Sequence, residues 1–360
     1  MAGPARRGDL GGEPMTTLIT GADGYLGRRI AAALPDEELI LAVRSSDAAE
    51  LAGKTARLGV HVRGAVVPVD LRDPDAFAEV DPRRITRIIH TAAVTRFDVD
   101  RATARQVNAA GTARVREFAE RCERLERLVL LSTLYTAGRR QGEVHETRHD
   151  DIGFVNHYEW SKWAAEQCVL DQPGLPVTVL RLPTVIAEDD HGTIGQYNAF
   201  HHTLRLYSSG LLTLLPGDPA TPLSLATAGF TVGAVVTLLD AEPGIYQVCS
   251  GQIPLHTTLD TAFAVFDRDP AFRRRMLPRP LLCDRDSFHD MVTAGQGLRG
   301  GELHAALRWV GPFAEQLYLP KVFRTDRLRA ACPGLRAPDL PSVIESVCTN
   351  LIAGRTHAQH

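Results

Sequence analysis

Leu18-Ile19-Thr20-Gly21-Ala22-Asp23-Gly24-Tyr25-Leu26-Gly27-Arg28 sets three glycines at three-residue spacing between an apolar run and a helix-like segment. Glycine weakens strands and helix interiors, so this pattern marks a sharp turn where something must approach the backbone closely. A strand that turns through glycines straight into a helix opens a βαβ unit, which commits the neighbouring chain to a parallel sheet with helices on its faces. Gly21 suits the tight turn, Gly24 the close approach of a pyrophosphate and Gly27 tight helix-strand packing, with phosphate charge resting on the helix N-terminus. The alternative is a flexible turn without ligand, and the rest of the chain decides between them.

Strand-like runs alternate with helical patterns through the first half. Strands are predicted at Thr17-Thr20, Leu39-Val43, Val66-Val69, Ile85-His90, Leu128-Ser132 and Val177-Arg181. Helices are predicted near Gly24-Leu34, Asp73-Glu79, Ala102-Arg121 and Tyr158-Leu170, the third burying Val107, Val115 and Phe118 on one face. After Leu182 the pattern turns irregular, and strand-like sequence returns at Ile245-Cys249. The fold class is therefore α/β, a Rossmann-type doubly wound parallel sheet with a smaller, mostly helical C-terminal substrate lobe. Residues 1–14 read as a disordered leader and 15–185 as a dinucleotide-binding domain, to which 225–250 return; 186–224 and 251–360 form the substrate-binding lobe.

Composition removes several other classes of function. With a formal net charge of -3 over 360 residues and arginines interspersed with acids, there is no basic field for nucleic acid. Six scattered cysteines without a Cys-x-x-Cys pair read as free thiols in a reducing compartment, and the first fourteen residues lack the apolar core of a signal peptide. A cytoplasmic location follows as the expectation. Pro219 to Leu239 carries no charge, but Pro222, Gly229 and Gly233 suit a buried strand followed by a core helix better than a membrane span. The adjacent His201-His202 share no face on a helix or a strand and have no acid-rich partner motif, so no metal site is expected.

Only three of the 40 basic residues are lysines, and one of them stands four positions after a tyrosine in Tyr158-Glu159-Trp160-Ser161-Lys162. On a helix these positions share a face, so the Lys162 ammonium can lie beside the Tyr158 phenol and lower a pKa that is about 10 in isolation. The same spacing also serves a structural pair on an exposed helix face. Roughly twenty residues after the first glycine, where an acid would bind a ribose 2′-hydroxyl, the chain has Val43-Arg44. A guanidinium suits a 2′-phosphate, which favours NADPH over NADH. Asp70 at the end of the third strand reads either as an acceptor for the adenine amine or as a turn former.

Taken in order, Thr20-Gly21-x-x-Gly24-x-x-Gly27, His90-Thr91-Ala92-Ala93, Asn108, Leu131-Ser132-Thr133 and Tyr158-x-x-x-Lys162 resemble the extended short-chain dehydrogenase/reductase superfamily over residues 17 to 185. The wording of Ile89 to Asp98, Ser132-Thr133-Leu134-Tyr135 and Arg181 to Ile186 is most similar to its fatty acyl reductase and thioester reductase branch, with the male-sterility-type NAD-binding domain. The resemblance implies that Tyr158 exchanges a proton with the substrate oxygen while Thr133 holds that oxygen. Lys162 would bind the nicotinamide ribose, and Asn108 would order the helix or water that relays its proton. Ala92, Ala93, Leu71 and Pro183 would line the cofactor together with the loop residues Asp23, Tyr25 and Leu26. Arg96 and Phe97 fall in the loop after the fourth strand and are substrate candidates, Phe97 against an acyl chain or in a packing role.

Two departures fall where the substrate pocket is shaped: Gly229 stands where the family commonly has aspartate, and Ala187 stands where it has glycine. The function implied is an NADPH-dependent reductase of a small-molecule or carrier-bound acyl thioester, or of the derived aldehyde, with the thioester arriving on a separate molecule and a homodimer allowed. The alternatives are a carbonyl reductase or dehydrogenase on a small ketone or alcohol, a nucleotide-sugar epimerase or dehydratase, and a non-catalytic dinucleotide-binding sensor. The Tyr158-Lys162 pair argues against the last.

Overall fold

Strands buried on both faces read as unbroken apolar runs, and the strands of the main sheet do so because helices cover it on each side. The structure is a computed structural model describing residues 15–58, 63–296 and 310–357, so the expected leader at 1–14 lies outside the described residues. In chain order the strands are β1 (Thr16–Thr20), β2 (Glu38–Val43), β3 (Arg63–Pro68), β4 (Arg87–His90), β5 (Arg127–Thr133), β6 (Gly142–Val144) and β7 (Val177–Leu182). They continue with β8 (Thr184–Ala187), β9 (Leu214–Pro216), β10 (Pro222–Thr227), β11 (Gly244–Gln247), β12 (Gly251–Pro254), β13 (Leu281–Cys283) and β14 (Lys321–Phe323). The helices that frame the sheet and the site are α1 (Tyr25–Ala32), α2 (Ala48–Leu58), α3 (Arg101–Thr103), α4 (Ala110–Glu120), α5 (His157–Leu170), α6 (Ala199–Ser209), α7 (Ala228–Leu238) and α8 (Leu255–Phe266).

Seven of the strands form one sheet in the order β11-β7-β5-β4-β1-β2-β3, and every neighbouring pair in it is parallel. The chain runs outward from β1 to β3, then returns to lay β4 against the other side of β1. That reversal opens a crevice at the carboxyl ends of β1 and β4. Successive residues serve opposite cores. Ile19, Leu39, Leu41, Val129, Leu131 and Leu180 face α1 and α7, while Leu18, Ile40, Leu128, Leu130 and Val179 face α4 and α5.

The uncharged stretch becomes β10 and α7, as its composition suggests. Phe230, Ala234, Val235 and Leu238 of α7 pack with Ile30 and Ala31 of α1 on the sheet. No helix among the described residues is long and apolar enough to cross a membrane. Outside the main sheet short strands accompany the helices: β8, β10 and β12 form a three-stranded sheet, while β9 pairs with β13 and β6 with β14. The helix Leu340–His357 packs with α6 and α8 through Val343, Ile344, Val347, Tyr207, Ala262 and Phe266.

Two local expectations fail for identifiable reasons. Asp73 to Glu79 forms turns, because the Asp73 side chain accepts from the amide of Asp75 across Pro74 at 3.0 Å. Conversely, α2 is a helix the apolar pattern does not announce. Asp47 Oδ1 accepts from Glu50 N at 2.8 Å and Glu50 Oε2 from Ser46 N at 2.8 Å, a reciprocal cap on an almost wholly exposed segment. The third predicted helix exists but opens as α3 and a π-helical turn over Ala104–Ala109 before α4. Val115 and Phe118 are buried in it, whereas Val107 lines the crevice.

Candidate active site and dinucleotide cleft

A cleft of about 580 Å³ follows the carboxyl edge of the sheet, lined by residues of β1, β2, β5, β7 and β8 and by the segments that follow β3 and β4. Its floor at the crevice is the glycine loop. Gly21 has φ +67°, and a Cβ there would lie 2.7 Å from Ala92 Cα, so the β4 loop presses directly on the turn. A Cβ on Gly27 would stand 2.3 Å from the Gly21 carbonyl oxygen, which fixes how closely α1 approaches β1. Gly24 differs: its nearest neighbour would be that same oxygen at 3.0 Å. It is also the N-cap of α1, with no side-chain cap bond and no acid in the first turn, so the helix presents open amides to the cleft. These features fit a pyrophosphate lying over the loop.

Asp23, Tyr25 and Leu26 line the cleft with the glycines. Burial and the Glu188 carboxylate push the Tyr25 phenol up to about 12, while the Arg29 guanidinium, ion-paired with Glu188, lies 4.0 Å over its ring. At the far end Arg44, exposed after β2, is joined by Lys54 from α2, whose ammonium lies 3.2 Å from Asp23 Oδ2 and from Glu50 Oε1 and donates to the Arg44 carbonyl. Lys54 is a cleft residue that the sequence did not single out, because the helix that delivers it was not foreseen. Asp70 and Leu71 line this end too, with Asp70 gripped by Arg72 through Nε at 2.9 Å and NH2 at 2.5 Å.

At the opposite end Ala92, Ala93, Thr133, Tyr158, Lys162 and Pro183 come together. Burial holds the Tyr158 phenol well above its ordinary value, opposed by a hydrogen bond with the Thr133 side chain. The expected electrostatic effect of Lys162 differs here: the lysine is not among the groups that shift this phenol, and its ammonium donates to the Leu131 carbonyl at 2.6 Å. A shared helix face brings the two residues to one cleft, but the long lysine side chain reaches down to the end of β5. Burial lowers Lys162 to about 8, and the Glu166 carboxylate one turn further along α5 works against that fall.

Asn108 is buried, and both ends of its amide are engaged. Oδ1 accepts from Val94 N at 2.8 Å, while Nδ2 donates to Val94 O at 2.9 Å and to Ser161 Oγ at 2.9 Å. It thereby ties the β4 loop to α5. Phe97 lines the cleft and meets Tyr158 and Tyr135 edge-on at centroid distances of 5.5 and 5.2 Å. Arg96 does not line it: its side chain is 73% exposed and paired with Asp98 at 2.9 Å, because the loop turns alternate residues to opposite sides. His201 serves a structural end, closing the capping box of α6 with Asn198 and meeting the Ile186 carbonyl at 2.9 Å.

Beneath this end lies a polar layer that the sequence did not disclose. Glu166 and Arg181 are fully buried and paired at 2.7 Å. Ser132 Oγ donates to Glu166 Oε1 at 2.5 Å, and Arg181 NH1 meets His149 Nε2 at 2.8 Å. His90, whose ring bridges Thr20 and Thr112 at 2.7 and 3.0 Å, is driven down to about 3 by burial and by the Lys162 charge, so it is neutral at ordinary pH. Replacing Glu166 by Ala leaves a guanidinium buried without its carboxylate, and the urea-unfolding midpoint should report a loss of about 3–5 kcal/mol; an unchanged midpoint would contradict the burial described.

The fold recurs in known proteins. The male sterility protein family of NAD-binding domains matches residues 19–235. An Arabidopsis thaliana protein named "Probable fatty acyl-CoA reductase 4" is 24% identical over 251 residues, 52% of this chain and 51% of its own length, so the chain spans about half of that curated relative. The terminal R domain from the myxalamid PKS-NRPS biosynthetic pathway superposes with a TM-score of 0.77 at 20% identity, over 96% of this chain and 92% of that one. A thiolation-reductase di-domain from an archaeal non-ribosomal peptide synthetase gives 0.72 at 16%, over 96% and 76%. UDP-glucuronic acid 4-epimerase from Bacillus cereus, in complex with NAD, gives 0.63 at 14%, over 94% and 99%. At these identities the solved structures speak for the fold, and the match over 19–235 speaks for kinship: the chain belongs to the male sterility protein family of NAD-binding domains, an oxidoreductase family within the extended short-chain dehydrogenases/reductases.

Proposed function

We propose that the chain reduces an acyl thioester, carried on coenzyme A or on a carrier protein, or the aldehyde derived from it, with NADPH as the reductant and Tyr158 as the proton donor. The observation that carries this reading is a buried tyrosine hydroxyl beside Thr133, at one end of a dinucleotide-sized cleft whose other end holds Arg44 and Lys54. Bound there, NADPH supplies the hydride. Arg44 and Lys54 would hold its 2′-phosphate, and the open amides of α1 would receive its pyrophosphate. Thr133 orients the substrate oxygen, and Tyr158, kept protonated by burial, gives that oxygen its proton. The Lys162 ammonium, charged below about pH 8 and anchored on the Leu131 carbonyl, would hold the nicotinamide ribose.

The thioester reading draws support from relatives named as a fatty acyl-CoA reductase, an R domain and a thiolation-reductase di-domain. Its test is NADPH oxidation by purified protein with acyl-CoA thioesters. Protein that binds NADPH but turns over no thioester, or that carries stoichiometric NAD after purification, would point to a nucleotide-sugar or small-ketone enzyme instead.

Three outcomes are expected. Tyr158→Phe should cut turnover by about 10²-fold or more while leaving NADPH affinity unchanged in a fluorescence titration. Arg44→Ala should weaken NADPH binding by about tenfold or more and leave NADH binding unaffected, since only the 2′-phosphate is lost as a partner. Because Lys162 carries its proton below its pKa of about 8 and loses it above, the initial rate should hold to that pH and decline as pH rises through it. A rate still climbing at pH 9 would remove the ammonium from the mechanism.

A further inference from the structure

A second cavity of about 50 Å³ shares three lining residues with the cleft, Tyr135, Pro183 and Thr184, so the two spaces meet at that wall. The wall is side chain: Tyr135 Oη and Thr184 Oγ1 stand 3.4 Å apart, a long and weak hydrogen bond. Beyond it the lining is apolar at Leu223, Leu317 and Leu319, and it carries one cation, Lys321. Lys321 is delivered from the chain's last quarter by β14, which pairs with β6, and it is only 5% exposed.

Among the described residues its ammonium donates to two oxygens, Gln316 Oε1 at 2.6 Å and Leu319 O at 3.3 Å, whereas an ammonium has three N–H groups. The nearest carboxylate, Glu159 beside Tyr158, reaches it only through Gln316, whose Nε2 donates to Glu159 Oε1 at 2.9 Å. Burying a lysine head without a direct counter-charge is unfavourable, and desolvation lowers Lys321 to about 8. The composition adds an independent pointer. This chain uses arginine almost everywhere, yet its three lysines, Lys54, Lys162 and Lys321, all line these two cavities.

We propose that the small cavity is the acyl subsite, and that it takes a short acyl group whose far end carries a carboxylate or hydroxyl oxygen, received by the Lys321 ammonium. The proposal rests on the thioester reading and gives it a substrate class. Its size sets the length: at 10–15 Å³ for each water-sized group, the cavity holds roughly four heavy atoms, too few for a long alkyl chain. Its chemistry sets the terminus, since a methyl group there would leave a buried N–H against hydrocarbon.

The test is calorimetric titration of the full chain with succinyl-, 4-hydroxybutyryl-, butyryl- and palmitoyl-CoA, with NADPH oxidation followed in parallel. The two oxygenated thioesters, of which the tighter identifies carboxylate or hydroxyl, should bind about tenfold or more tightly than butyryl-CoA. Palmitoyl-CoA should gain nothing over butyryl-CoA, and Lys321→Met should abolish the preference. Equal affinity for the short thioesters, tighter binding of palmitoyl-CoA, or no binding of any of them overturns the subsite. If Lys321→Met does not fold, the comparison on the unaltered protein still decides. Selective binding without turnover sinks the reductase reading and leaves the subsite standing, while turnover without selectivity does the reverse.

Discussion

The helix that carries Tyr158 and Lys162 is docked by polar contacts more than by an apolar stripe. Its buried positions include Tyr158, Glu159, Ser161, Lys162 and Glu166 against only Ala165 and Val169. Each polar group has a named partner on another element: Glu159 with Gln316, Ser161 with Asn108, Lys162 with the Leu131 carbonyl, and Glu166 with Arg181 and Ser132. Hydrogen bonds fix distance and rotation more tightly than apolar packing does, so they set where this helix presents its cleft-lining side chains.

The Glu166–Arg181 pair is the strictest of these contacts. A buried ion pair adds little net stability over well-packed apolar residues, because desolvation offsets its attraction. Breaking one half is another matter, since the remaining charge has nowhere to go. The pair therefore acts mainly on geometry: it joins α5 to β7, and through Ser132 to the end of β5 where Thr133 stands, so Tyr158 and Thr133 share one rigid support.

The glycine loop and the main strands were legible because each depends on local chemistry. Turns need glycine, and a strand covered on both faces must be apolar throughout. What escaped the sequence was whatever depends on distant partners or on an exposed segment. α2 buries little beyond Leu51 and Leu58, too sparse a pattern to stand out, so the Asp47-x-x-Glu50 cap was its clearer sign, and with it Lys54. Fifteen residues separate Glu166 from Arg181 along the chain, and nothing in either position tells that they meet. The Tyr158 phenol illustrates a different limit: spacing shows that Lys162 shares its face, but whether burial or charge governs its pKa depends on the walls around it. Lysine scarcity was visible from the start. That it marks cavities became visible only in three dimensions.

The three glycines of the nucleotide loop answer to different masters. At Gly21 and Gly27 the protein's own backbone fills the space a Cβ would need, whether or not anything is bound. At Gly24 the protein presses less, with one backbone oxygen at 3.0 Å from where a Cβ would stand. Folding alone therefore holds positions 21 and 27 strictly, and holds 24 less strictly, since there the Gly21 oxygen would have to give only slightly. A descendant that kept this fold for another purpose would lose its middle glycine first.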